Sequence, residues 1–478
     1  MAEPEAPDVP LLASIYLFEA LAGLALIGAY RNGGLDGLWS LSTPHSQRFV
    51  AGVVGTLAAG WFIATRYRRR GPEATKRFWM TAGLNLVTVS LLAASSEIAI
   101  RLIAREAPGG TVFMGTTLLP RDWPAIADRN RSLLAKRPAN ISYFVADELL
   151  GWTIGPSRES SDGLYASSAE GLRSASAGVR LADRAGARRV ALVGDSYTFG
   201  LEVPYERSWG HLVEAPLGSD VQILNFGVDG YGVDQSYLRY HRDVRPWHPE
   251  LVAFGFINQD FYRNMTVYTF VDFPEWGFPF SKPRFVAGRD GALKLLNVPL
   301  IPPETIFDKA SVTELPHLAL DRGYREEEWR RRWYHHSYLL RFLQSRFAPD
   351  PVLPADVSDE ARESLSAQLL TTVLDEAAHE GSKAILLFFP SRADFEPNGK
   401  QTTAHDRVKA AVFSALRAKG VEVADLTACL ASMDPRTMFL PGRPHYSAAG
   451  NAAAAACVLP ILERELAKQE PFRNPPSR

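Results

Sequence analysis

Hydrophobic and polar positions divide this chain into three regimes. In residues 1–104 the apolar positions come in long unbroken runs: Leu11–Tyr30, Phe49–Thr65 and Phe78–Ser96 carry a single charge among them. Each run is about 17–20 residues, enough to cross the hydrocarbon core as a helix, so three transmembrane helices are predicted. Residues 105–187 are rich in Gly, Pro, Ser and Arg and show little periodicity. A lead-in of short strands and loops packed on the next domain is predicted there. From Arg188 a third pattern takes over. Short apolar runs at Val190–Val193, Val221–Leu224, Leu251–Phe256, Lys383–Phe389 and Val421–Ala424 alternate with helical stretches, the last at Ser447–Lys468. Such alternation predicts a parallel sheet with crossover helices over 188–468, followed by a tail at 469–478. The rhythm breaks at about 266–351, an insertion rich in proline and aromatics.

Charge adds an orientation. The second connection between spans holds Arg66, Arg68, Arg69, Arg70, Lys76 and Arg77, against Arg31 and Arg48 in the first. The positive-inside rule then places the N-terminus in the cytoplasm and everything after the third span outside, in the periplasm for a bacterial inner membrane. The formal net charge of -1 offers no global electrostatic case for a nucleic-acid partner. Two cysteines, Cys429 and Cys457, lack metal-ligand spacing. A bridge between them is open, but two buried free thiols are expected. His335-His336 reads as an exposed helix pair without a ligand set. The aromatics of the insertion, Phe270, Phe273, Trp276, Phe278, Phe280, Trp329, Trp333 and Tyr334, are expected to form a packed core rather than a sugar- or lipid-binding wall. A helix within 326–347 should turn Arg330, Arg331 and Arg332 to solvent. No metal or organic cofactor is implied.

Candidate chemistry gathers at the strand ends. Ser196 follows the first strand of the third regime, Gly230 the second and Asn258 the third, while His445 precedes the last helix. In a parallel sheet all four reach one edge, where open α/β folds place their sites. A serine hydroxyl needs a base within hydrogen-bond reach, and His445 can supply it. The backbone N–H groups of Ser196 and Gly230 and the side-chain amide of Asn258 are suitable donors for an oxyanion. Asp195-Ser196 alone reads equally well as a helix cap. Thr198 stands where an α/β-hydrolase elbow has its second glycine, so the motif is not that one.

The order of these blocks resembles the SGNH (GDSL-type) hydrolase family over about Arg188 to Ala467, the insertion excepted. The blocks are Gly194-Asp195-Ser196; Asn225, Gly227 and Gly230; Gly255-Phe256-Ile257-Asn258-Gln259, which is looser; and His445-Tyr446-Ser447-Ala448-Ala449-Gly450-Asn451. The resemblance implies a flavodoxin-like three-layer α/β/α sandwich. It also implies Ser196 as nucleophile, His445 as base, and Ser196, Gly230 and Asn258 as the oxyanion hole. One feature departs from the family. An aspartate is usual two or three residues before the histidine, and here those positions hold Arg443 and Gly442. Three accounts stand open: a backbone carbonyl orients His445, another acid such as Asp434 or Asp425 replaces the missing one, or the site is weakened.

The resulting expectation is a membrane-anchored, outward-facing serine esterase. It would remove O-acyl groups, foremost O-acetyl, from a glycan or envelope lipid. O-acyl transfer in polysaccharide modification is the first alternative, since related SGNH domains attached to membrane helices take part in it. A non-catalytic glycan-binding or assembly module is the second.

Overall fold

The computed structural model describes residues 58, 60–184, 186–288, 291–347, 353–395 and 400–473. They form two compact units, one made of residues up to Trp123 together with Arg325–Val352, the other of Pro124–Tyr324 and Leu353–Arg478. Each unit thus draws on two separate stretches of chain.

The first unit is built on the helix Pro72–Ile103. Among the described residues it is the one helix long and apolar enough to cross a membrane. Its apolar side chains are bare, Leu84 and Leu91 being 66% and 63% exposed. It contains the third predicted span. The first span lies outside the described residues, as does most of the second, of which residues 60–65 are helical. A small antiparallel sheet follows, with β1 (Arg105–Ala107), β2 (Gly110–Phe113) and β3 (Thr116–Thr117) in sequential order. The segment from Arg325 completes the unit. Its main helix is Tyr338–Arg346, shorter than expected, and Arg330, Arg331 and Arg332 precede it rather than lining it. His335 is buried rather than exposed: its Nδ1 accepts from the Arg332 N–H and its Nε2 bonds Gln344.

In the second unit the lead-in folds into two hairpins, β4 (Phe144–Asp147) with β5 (Gly151–Ile154) and β6 (Ala166–Ser167) with β7 (Arg173–Ser174). The central sheet takes β8 (Arg188–Val193), β9 (Val221–Asn225), β10 (Leu251–Phe256), β13 (Lys383–Phe388) and β14 (Val423–Asp425). All pairings are parallel and the order is β14-β13-β10-β8-β9. Numbered within the sheet, this is the 2-1-3-4-5 order of a flavodoxin-like fold, with its switch point between β8 and β10. The short hairpin β11 (Arg284–Ala287) with β12 (Leu293–Leu296) lies apart from it.

The unbroken apolar runs are explained by burial on both faces. Ala191, Val193, Val252, Phe254, Phe256, Leu386 and Phe388 pack on one side, with Leu365, Leu369, Val408 and Val412 from helices Asp359–His379 and Lys400–Ala418. Val190, Leu192, Leu251, Ala253 and Leu387 pack on the other, with Trp209, Val213, Val458 and Leu462 from helices Trp209–Leu217 and Ala448–Arg473. The period of two thus sorts one run onto two cores, giving three layers. Phe270, Phe278 and Phe280 of the insertion are buried, as expected of a packed core, whereas Trp333 is 78% exposed.

The two cysteines are not free thiols. Cys429 and Cys457 form a disulfide across 28 residues, joining the short helix Thr427–Leu430 to the last helix. Spacing alone gave no sign that a helix would return one beside the other. For a loop of this length the chain-entropy model gives about 3–4 kcal/mol of stabilisation. Cys457→Ser should lower the thermal midpoint of the detergent-solubilised protein to that of the reduced wild type, and reductant should no longer shift it.

Candidate active site

The nucleophile turn is made by close approach. A Cβ on Gly194 would fall 2.2 Å from the Thr198 hydroxyl oxygen and 2.4 Å from the Gly255 carbonyl oxygen. Only glycine lets β8 end against β10 and the four-residue helix Ser196–Phe199 at once. Asp195 caps that helix by accepting from the Tyr197 N–H at 2.9 Å. Asp195 is thus the helix cap, and Ser196 stands next to it as the first residue of that helix. Asp195 is fully buried. Burial pushes its carboxyl up, while Arg263 and the N–H donors of the helix pull it back. Arg263 shares one nitrogen among Asp195 at 3.4 Å, Asp260 at 2.7 Å and the Tyr231 carbonyl at 2.9 Å.

His445 reaches the serine from the turn before the last helix. Tyr197 Oη donates to the Pro444 carbonyl at 2.7 Å, and the Leu440 N–H donates to the His445 carbonyl at 3.0 Å, fixing that turn. Nε2 of His445 lies 3.1 Å from Oγ of Ser196. Nδ1 lies 2.8 Å from Oε2 of Glu202. An ionised carboxylate only accepts, so Nδ1 carries the proton and Nε2 is left to accept from the serine hydroxyl.

Glu202 is the group that sequence reasoning missed, and it corrects the search for a replacement acid. Asp434 is an exposed helix cap paired with Arg436 at 2.8 Å. Asp425, at the end of the edge strand β14, accepts from the Thr427 N–H at 2.9 Å. Both are occupied locally. Nor is a backbone carbonyl at Nδ1. The chain delivers Glu202 by a tight reversal: the N–H groups of Gly200 and Leu201 both donate to the Ser196 carbonyl at 3.0 Å. Gly200 and Glu202 both take left-handed backbone, with φ of 75° and 66°. For a non-glycine residue that costs about 1–2 kcal/mol. The Glu202 N–H is held in place by the Tyr165 hydroxyl at 2.8 Å.

Arg443, standing near where the family has its aspartate, bonds Oε1 of Glu202 at 3.1 Å. Burial would raise Glu202, but the hydrogen bond and charge of His445 and the charge of Arg443 outweigh it and hold the carboxyl below its usual range. The acid at His445 comes from the loop after Ser196, and the histidine loop carries Arg443 instead.

The remaining candidates sit where the sheet topology puts them. Gly230 follows β9 with φ of 81°, and a Cβ there would lie 3.2 Å from the Trp152 ring. Asn258 is fully buried and opens the helix Asn258–Arg263. Among the described residues neither the Ser196 N–H nor the Gly230 N–H donates to a protein acceptor. Both remain available to a developing oxyanion. The loop bearing Gly230 is pinned from the lead-in: Trp152 Nε1 donates to the Asp229 carbonyl at 2.9 Å, and Tyr231 Oη donates to the Trp152 carbonyl at 2.5 Å. Burial pushes the Asp229 carboxyl up to about 6, against the charges of His445 and Arg263. Among the described residues no cluster of His, Cys, Asp or Glu is placed to hold a metal ion.

Two substitutions test this electrostatic arrangement. Glu202→Gln should lower kcat on an aryl acetate by about 10³–10⁴ with KM little changed, as for a triad carboxylate, while Asp434→Asn and Asp425→Asn stay near wild type. Glu202 has a depressed value in the fold. Its stabilisation is therefore present above the unfolded value of about 4.3 and is lost as pH falls through the folded value, so the midpoints of wild type and Glu202→Gln should converge in acid. Asp229 has the opposite sign. Its ionisation opposes folding above about 6, so Asp229→Asn should raise the thermal midpoint there and lose that gain below about 4.

Residues 347–474, which carry His445 but not Ser196, Gly230 or Asn258, match the family described as SGNH hydrolase-like domain, acetyltransferase AlgX. No curated protein matches the chain. Among solved structures, a member of the lipolytic protein G-D-S-L family from Veillonella parvula is similar at 12% identity. The match covers 58% of this chain and 98% of that one, with a TM-score of 0.30. Axe2, an acetylxylan esterase from Geobacillus stearothermophilus, is similar at 13% identity over 59% and 95% of the two chains, with a TM-score of 0.30. The strand order makes the second unit a flavodoxin-like three-layer α/β domain, and its C-terminal part, within residues 347–474, is similar to the SGNH hydrolase-like family.

Proposed function

We propose that this protein is a membrane-anchored, outward-facing serine enzyme that acts on O-acyl, foremost O-acetyl, esters of a glycan or envelope lipid. The observation that carries the reading is the chain Ser196–His445–Glu202, with contacts of 3.1 and 2.8 Å. In it His445 takes the proton of Ser196 as the hydroxyl attacks the ester carbonyl. Glu202 holds the imidazole in the required tautomer and stabilises its charge. The N–H groups of Ser196 and Gly230 with the amide of Asn258 receive the oxyanion, and His445 returns the proton to the leaving alkoxide. Water or a second hydroxyl then releases the acyl group.

Hydrolysis is the first reading and transfer to a sugar hydroxyl the second. The second is favoured by the match of residues 347–474 to a family described as an acetyltransferase. A non-catalytic binding module is disfavoured, because an acid does stand at His445 Nδ1. The outward location is supported by the Cys429–Cys457 disulfide, a bond that persists in oxidising compartments. The apolar helix Pro72–Ile103 supports the anchor.

A fluorophosphonate probe should label the detergent-solubilised full-length protein at Ser196, and Ser196→Ala should abolish the label. Absence of labelling on folded protein would sink both catalytic readings. Aryl acetate turned over with and without an acceptor sugar then separates them: free acetate alone, despite abundant acceptor, excludes transfer.

A further inference from the structure

In the first unit, the helix Tyr338–Arg346 has one face committed and one face bare. On the committed face Arg341 is buried and donates to the carbonyls of Leu119 at 2.8 Å and Leu118 at 3.1 Å. Phe342 meets Phe113 of β2 edge-on, with ring centroids 5.1 Å apart. On the other face Leu340, Leu343 and Phe347 are 38%, 39% and 42% exposed. Their spacing of three and four residues puts them on one stripe. Trp333, just upstream, is more exposed still, and Arg346 lies open beside the stripe.

The level of this stripe along the helix Pro72–Ile103 says what covers it. From Phe78 to Ser96 that helix carries no charge. At about 1.5 Å per residue this is ~28 Å, close to the ~30 Å of a hydrocarbon core. The next residue is Glu97. Its carboxylate receives the Ser337 hydroxyl at 2.8 Å and the N–H groups of Tyr338 at 3.0 Å and Leu339 at 2.8 Å. It thereby caps the N-terminus of the second helix. One turn on, Arg101 lies over the Tyr338 ring at 4.9 Å and donates to the His336 carbonyl at 2.6 Å. The bare stripe therefore starts at the height where the spanning helix leaves the hydrocarbon. Ile98, Leu102 and Ile103 of that helix are exposed as well.

We infer that the segment Trp333–Phe347 lies in the outer bilayer interface, with Leu340, Leu343 and Phe347 among the upper acyl chains, Trp333 at headgroup level and Arg346 extended to the phosphates. This matches the composition of interfacial amphipathic helices. The segment is inserted between strands of the catalytic domain, so the chain would touch the membrane at two places far apart in sequence. The inference rests on Pro72–Ile103 spanning the bilayer.

The test uses full-length protein in vesicles of phosphatidylcholine and phosphatidylglycerol. The native cysteines are bonded to each other, so Leu343→Cys, Phe347→Cys and Leu91→Cys can each be labelled singly with an environment-sensitive fluorophore. Nitroxide lipids spin-labelled high or low on the acyl chain serve as quenchers. The expected result is blue-shifted emission at 343 and 347, losing more than half its intensity to the shallow nitroxide and less to the deep one. Position 91 should be quenched most by the deep one. Quenching at 91 without quenching at 343 and 347 overturns the inference and leaves the anchor standing. No quenching at any position overturns both. Blue-shifted emission at 343 without lipid quenching shows a protein cover, such as a second copy, and overturns it too.

Discussion

The site depends on one carboxylate. Glu202 meets the histidine loop with both of its oxygens, His445 on one and Arg443 on the other. Without it the imidazole Nδ1 has no acceptor to fix its tautomer. With it the histidine loop is tied at two points to the turn that carries Ser196, and His445 Nε2 faces the Ser196 hydroxyl. The left-handed backbone at Glu202 is the local strain accepted for that placement.

The lead-in is part of this machinery rather than a tether. Tyr165 fixes the backbone of Glu202, and Trp152 with Tyr231 fixes the loop that presents Gly230. Trp152 and Phe144 are wholly buried in the core on that face of the sheet. The Glu202 reversal and the Gly230 loop are thus both held by residues that precede the first central strand.

What could be read from the chain alone follows a physical pattern. The sheet was legible because its strands are buried on both faces and appear as unbroken apolar runs; Ser196, Gly230 and Asn258 were singled out because each follows such a run, and His445 because it precedes the last helix. Glu202 was not legible. An acid six positions after a serine has no periodic signature, and only the reversal at Gly200 turns it inward. Arg443 was noticed as a departure, but its meaning required its partner. The disulfide and the caps made by the lead-in share this character. They depend on which distant segments meet, and short-range pattern does not report that.

The cap that Glu97 places on Ser337, Tyr338 and Leu339 has a consequence for synthesis. The partners are separated by about 240 residues. At ~5–20 residues per second, roughly 10–50 s pass between translation of one and of the other. For that interval Arg101, one turn on along the same helix, is the partner the carboxylate keeps, and its other lone pairs are left to solvent. Truncation faces the same dependency. A fragment begun at residue 105 would keep the helix Tyr338–Arg346 while discarding its cap. A well-behaved soluble version therefore calls for two cuts, removing Arg325–Val352 along with the N-terminal hundred or so residues.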